Sequence, residues 1–316
     1  MKTILFALVG MAAVGCGTNN GPDYVAGFDP PPVQDGYQRF ISPTLTGIAP
    51  GADVEYCQWI QAPADADLDV LDVVGEQSPT GHHAVLYTST ETQFHTGDSH
   101  ICTPDDMVSV SFLGAVFGSG GGQLTKLPDG LFFRQRKGQA LMINTHWLNT
   151  TDKTVDGQAV IDVKFGPADP SHTIADIFAN NGDTFSIPPG APTSYDVSCT
   201  FPQDMSFAMV TDHMHTAGQS AYTEILHTDG TSTMLRQDAS WASDEQFNPI
   251  YTSFSLAQPY LVHAGDTMHT HCVWQNQGTS TLLFPDEMCT GQAFYFPGNG
   301  LSACDDGTWD AGTAVD

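Results

Sequence analysis

The sequence predicts an all-β chain: two tandem antiparallel β-sandwich domains, jelly-roll-like, with a cleft between them. Three observations predict it. No long stretch carries helical spacing of its apolar residues, whereas short β-type segments recur along the body. Turn-forming stretches such as GSGGGQ, LPDG, SIPPGAP and HTDGT separate those segments. Gly and Pro supply 31 and 20 of the 316 residues, enough for many tight connections. Sandwiches or jelly rolls suit this pattern better than alternating strands and helices, and the length suits two domains of ordinary size.

In chain order, MKTILFALVGMAAVGC comes first. Lys2, an apolar run from Thr3 to Val14, and Gly15-Cys16 make a signal peptide over residues 1–15, too short to span a membrane. Its end resembles a bacterial lipoprotein signal in which Cys16 becomes the acylated first residue, although Ala13 stands where Leu is preferred. The expected location is outside the cytoplasm, anchored in the periplasm or at the outer membrane or cell surface. Residues 16–36, polar and rich in Gly and Pro, read as a flexible tether. The strand candidates follow: HAVLYTST (83–90), QALMINTHWLN (139–149), QAVIDVKF (158–165), FAMVTDHMH (207–215), AYTEILHT (221–228) and TMHTHCVWQN (267–276). The run GPADPSHTIAD (166–176) is the natural boundary, giving domains over 37–168 and 169–316.

Nine basic against 36 acidic residues give a formal net charge of -27. Such a surface repels nucleic acid and anionic membrane, so contact with a membrane is expected only through the lipid anchor. Six cysteines follow Cys16, namely Cys57, Cys102, Cys199, Cys272, Cys289 and Cys304. An even number in an exported chain, with no CxxC, points to disulfides, of which six cysteines allow 15 pairings.

The histidines carry the chemistry. His213 and His215 in DHMHTAG share one face of a strand, with Met214 pointing the other way. The same spacing at His269 and His271 reads as solvent-facing strand residues, so HxH alone decides little. His82-His83 follows Gly81. Either a distorted strand end lets both imidazoles reach one metal, or one is buried and the other exposed. His146, in a strand with Leu141, Ile143 and Trp147, is either a hydrogen-bonded core residue or a further ligand.

The ordered set is more specific than any member. His82-His83, then His146, then His213 and His215, then Asp286-Glu287-Met288-Cys289 follow one another as in the copper type II, ascorbate-dependent monooxygenases. That family includes peptidylglycine α-hydroxylating and dopamine β-monooxygenases. GDTMHTHC (Gly265 to Cys272), SIPPG before DVSC, and KLPDG ahead of His146 extend the resemblance from about Cys57 to Cys304. It implies two copper ions per chain: an electron-transferring copper on His82, His83 and His146, and an oxygen-activating copper on His213, His215 and Met288. A thioether donor agrees with copper, being a good ligand for Cu(I) and a poor one for zinc. The resemblance also implies the pairs Cys57–Cys102, Cys199–Cys304 and Cys272–Cys289. The implied reaction is hydroxylation of a C–H bond of a small substrate by O2, with ascorbate or another one-electron donor as partner.

Substrate recognition departs from the family. Where peptide-hydroxylating members hold an arginine, this chain has Thr211, and their Asn and Tyr after the methionine are Thr290 and Gln292 here. A substrate carboxylate would lose its guanidinium partner, which argues against peptide amidation. Two other readings remain: a lipid-anchored copper-binding or buffering protein without turnover, and a zinc hydrolase on three histidines, which leaves Met288 without a role.

Overall fold

The structure is a computed structural model that describes residues 24–310 apart from 61–64, 90–93, 104–105, 107–109, 119–121, 124–126, 247 and 285. The signal peptide, Cys16 and the first part of the tether lie outside the described residues. The described chain is built from β-strands, with one short 3-10 turn at Ser243–Gln246.

The first sandwich pairs a five-stranded with a six-stranded sheet. The five-stranded sheet runs, in spatial order, Gln38–Ile41, Ala159–Pro167, Leu68–Gln77, Leu131–Gln135 and Thr173–Ile174. The other runs Ser99–Ile101, Asp53–Ile60, Ala140–Leu148, Gly81–Ser89, Val110–Phe117 and Gly122–Gln123. Ile161, Val163, Val70 and Phe133 from the first meet Leu86, Leu113, Leu141 and Ile143 from the second in one core. The chain stays with this sandwich beyond residue 168, because Thr173–Ile174 pairs in parallel with Leu131–Gln135. It crosses at buried Ala175, and Asp176–Gly182 opens the second sandwich.

In the second sandwich a seven-stranded sheet is centred on Met205–His213, Cys289–Phe296 and Asp176–Gly182. It faces a four-stranded sheet of Pro192–Thr200, Thr267–Gln275, Gly218–Leu226 and Ser232–Asp238. Strand Thr267–Gln275 alternates residue by residue: Met268, Thr270, Cys272 and Trp274 are buried while His269 and His271 lie on the outer face.

Strand Met205–His213 is buried on both faces for a local reason. Phe207 pairs with Tyr295 and Met209 with Phe294, so Ala208 is an extra residue, a bulge that shifts the side-chain phase. Phe207 and Val210 therefore enter the second sandwich's core, while Met209 joins that of the first. Phe294 packs beside it against Phe133 and Phe112, with ring centroids at 5.7 and 6.2 Å. The two halves thus share an apolar seam. Asp176 ties the same seam, its carboxylate accepting hydrogen bonds from the backbone N–H groups of Phe112, Ile177 and Gly300.

The structure contains the disulfides Cys57–Cys102, Cys199–Cys304 and Cys272–Cys289. The last joins the two sheets of the second sandwich beside Met288.

Candidate metal centre

The paired histidines of the first sandwich owe their geometry to a bulge. His146 pairs with His83 but Trp147 pairs with Gly81, leaving His82 as the extra residue on its strand. Adjacent side chains that would face opposite ways can then turn to one side. Gly81 is required there, since a Cβ would lie 2.3 Å from that of Gln77. The Gln77 amide in turn donates to the carbonyls of His83 (2.9 Å) and His146 (3.3 Å), clamping both strands at the bulge.

Three ring nitrogens converge as a result. His82 Nδ1 lies 3.1 Å from His146 Nδ1 and 3.2 Å from His83 Nδ1. Nitrogens sharing one tetrahedral cation at about 2.0 Å would sit roughly 3.3 Å apart. The far nitrogens meet carboxylates of a single strand: His146 Nε2 is 2.5 Å from Asp53 Oδ1, and His83 Nε2 is 3.8 Å from Glu55 Oε1. With its ring proton drawn to Asp53, His146 turns an Nδ1 lone pair toward the common point, the arrangement seen behind metal-bound histidines. Burial would raise the Glu55 carboxyl, but its contacts with His83 and with the Asn144 amide outweigh burial and hold it down at about 2.

His213 ends its strand, facing the first sandwich, and His215 follows just beyond it. Met214 between them is fully buried on the other side, among Trp241, Trp274 and the Cys272–Cys289 pair. His215 is held from several directions. Its backbone N–H donates to Glu287 Oε2 at 2.9 Å, its carbonyl accepts from Trp241 Nε1 at 3.0 Å, and its Nδ1 donates to the Asp286 carbonyl at 3.1 Å. That last bond leaves Nε2 as the lone-pair nitrogen, and it is buried with no hydrogen-bond partner. Burial pushes the Glu287 carboxyl up to about 7, although the backbone N–H groups of Ala217, His215 and Met288 pull the other way. Met288 is half-buried. His213 pairs with Thr290, two residues after Met288 in the chain.

Behind His213, Asp212 faces the interior. Its carboxyl is pushed up to about 7 by burial, against the pull of its Thr223 hydrogen bond and of Arg236. Thr223, Thr270 and Asn180 extend this into a buried polar network between the two sheets.

The two histidine sets meet. His82 is 4.6 Å from His215 and 6.3 Å from His213 between ring centroids, and His146 is 6.4 Å from His215. Where the sequence suggested a cleft, the halves close at these rings, because the Met209–Phe294 seam holds the sheets together. Ring nitrogens of His82, His83 and His146 form one group able to hold a metal ion, and those of His82, His213 and His215 form another. Burial, and then the neighbouring imidazoles, lower the pKa values of His82, His83 and His213. Burial lowers that of His215 to about 4. Neutral imidazoles at His82, His83, His213 and His215, with their ring nitrogens grouped at the junction, make a donor set compatible with copper.

The sequence reading missed Asp53, Glu55 and Gln77. Its one signal for the first two was a pair of acids two residues apart in an otherwise largely apolar strand. Thr211 and Gln292 pair across neighbouring strands, and the Thr211 hydroxyl donates to the Ile250 carbonyl at 2.8 Å.

The fold and site define a two-sandwich all-β protein with a histidine-rich cluster able to hold metal at the domain junction. Residues 173–310 match the family model of the copper type II ascorbate-dependent monooxygenase, C-terminal domain, a stretch that contains His213, His215 and Met288. No curated protein matches the chain. Among solved structures, the chain is similar to the major capsid protein P2 from bacteriophage PM2. Identity there is 9%, covering 83% of this chain and 100% of that one, with a TM-score of 0.34. It is also similar to the cowpea mosaic virus top component, at 9% identity over 84% of this chain and 90% of that one, TM-score 0.32. Likenesses this distant carry no functional information.

Proposed function

We propose that the chain is an exported copper-dependent monooxygenase that hydroxylates a C–H bond of a small substrate, using O2 and ascorbate or another one-electron donor. One observation carries the reading. The segment that matches the family's C-terminal domain holds His213, His215 and Met288, and the fold sets these histidines against the three converging imidazoles of the other half. His82, His83 and His146 would hold one copper, and His213, His215 and Met288 the other. Copper bound there supplies the one-electron steps and the activation of dioxygen.

The chain's own residues prepare the site. Asp53 orients His146, the Asp286 carbonyl orients His215, and Glu55 places a negative charge near His83. Burial keeps His82, His83, His213 and His215 neutral and ready to ligate, and Met209, Phe112, Phe133 and Phe294 pack as an apolar seam between the halves.

The surroundings argue against an anionic substrate. Arg236 is the single basic residue in 173–310, and it is engaged by Asp238 at 3.3 Å, Glu245 at 3.7 Å and Asp212 at 3.8 Å. Thr211, at the position of the family's carboxylate-binding arginine, spends its hydroxyl on a backbone carbonyl. A neutral or cationic small molecule suits such a site, and peptide amidation does not. Export and acylation at Cys16 belong to the same proposal.

Oxygen-electrode measurements on copper-loaded protein with ascorbate test the reading. Ascorbate-dependent oxygen uptake that His213→Ala abolishes is the expected result. Copper binding with no oxygen uptake beyond that of free copper would leave a lipid-anchored copper buffer instead.

A further inference from the structure

The N-terminal end of the described chain is folded onto the first sandwich. The backbone N–H of Val25 donates to Gln158 Oε1 at 3.2 Å, and Phe28 is buried with the Tyr24 ring edge-on to it, centroids 5.7 Å apart. Asp29-Pro30-Pro31-Pro32-Val33 then passes Gln38–Ile41, the edge strand of the five-stranded sheet. Arg39 on that strand holds the segment in place. Its guanidinium donates to the Pro31 carbonyl at 2.7 Å and the Tyr24 hydroxyl at 3.1 Å, and meets Asp162 at 2.6 and 2.7 Å.

Tyr24, the three prolines, Val33 and Ile41 thereby wall an open groove of about 620 Å3, a volume usual for small-molecule sites. Its chemistry is one-sided. Prolines carry no N–H, and the Arg39 guanidinium is spent on Asp162, Pro31 and Tyr24, so an extended peptide would find few donors here. Asp29, also on the wall, disfavours an anionic head group. A flexible aliphatic chain with an uncharged head suits these walls.

We propose that this groove holds one acyl chain of the lipid on Cys16, sheltering it from water whenever the protein is off the bilayer. The inference rests on the acylation of Cys16 proposed above. Cys16 precedes Tyr24 by eight residues, a length that reaches at most about 29 Å, so the lipid is tethered near the mouth of the groove. A short tether keeps its ligand at roughly millimolar local concentration, and even weak apolar binding then fills the site. The groove is concave, and the net charge of -27 keeps the body off anionic head groups. The chain's own lipid is therefore a better occupant than a bilayer surface.

Calorimetric titration with 1-monolauroylglycerol, an uncharged monoacyl probe, tests the groove in the mature chain carrying Cys16→Ala. One probe per chain is expected. Val33 is 43% exposed, so Val33→Asp should fold normally yet bind the probe roughly tenfold or more weakly, since it sets a charge against the acyl chain. Leu71→Asp, at an apolar residue 46% exposed outside the groove, should bind as its parent does. The acylated protein should also bind added probe roughly tenfold or more weakly, because its own chain competes. No binding by the Cys16→Ala chain, equal binding by Val33→Asp, or equal binding by the acylated protein would overturn the proposal. The mass of the native N-terminal peptide separates the two readings. An unmodified Cys16 would refute the acylation, and the occupant with it, whereas a modified Cys16 beside a groove that binds no probe would refute the groove alone.

Discussion

The imidazole of His82 packs edge-on against that of His215, with ring centroids 4.6 Å apart, although the two belong to different sandwiches. Two bulges make this contact: one at His82 turns its ring to the side of His83, and one at Ala208 brings His213 to the face that meets the first sandwich. His82 consequently belongs to both groups of converging nitrogens. Replacing it should remove the copper held with His83 and His146 and, by losing the edge-on contact with His215, also weaken the copper of His213 and His215, whereas His83→Ala should affect the first alone. Copper counts and affinities for the two variants check this; identical losses would show that His82 acts on one site alone.

Asp53 acts on the metal only through His146, whose Nε2 it holds at 2.5 Å. Asp53→Ala should lower the affinity for one copper by about 10- to 100-fold, the usual cost of losing such a partner. Competition with a Cu(I) chelator measures it, and the second copper should keep its affinity.

Asp176 should make folding stability depend on pH. Burial pushes its carboxyl up to about 7 despite three backbone N–H donors. The folded state therefore holds the proton more tightly than the unfolded chain, whose carboxyl titrates near 4. The protonated form's advantage is complete below about pH 4 and is lost as pH rises toward 7, a change on the order of a few kcal/mol. In Asp176→Asn, unfolding curves between pH 4 and 8 should lose that share of the pH dependence; an unchanged slope would contradict it.

Gly291 leaves room for the polar network behind His213. A Cβ there would lie 2.3 Å from Thr270 Oγ1 and 3.0 Å from Thr223 Oγ1. Gly291→Ala should cost about 1–3 kcal/mol in denaturant unfolding, the usual cost of overpacking a filled core.

Much of this was legible in the sequence because it rests on local spacing. Alternation and turn residues marked the strands, Gly81 marked the distortion at His82-His83, and the order of the histidines marked the residues that meet at the junction. What was not legible depends on pairing between distant segments. Glu55 lies opposite His146 only because Asp53–Ile60 pairs with Ala140–Leu148 in that register. The closeness of His82 to His215 rests on Phe294 and Met209 packing on Phe112 and Phe133, which no single segment reveals. The crossing point moved for a similar reason: Thr173–Ile174 still has a strand to pair with in the first sandwich.

The central claim is that Met288 completes a copper site with His213 and His215, separate from the one on His82, His83 and His146. Metal analysis of the purified protein beside its Met288→Ala variant tests it most directly. The account predicts two copper ions per wild-type chain, with one selectively weakened by the substitution. One tightly bound zinc, or two coppers held equally well by both proteins, would contradict it.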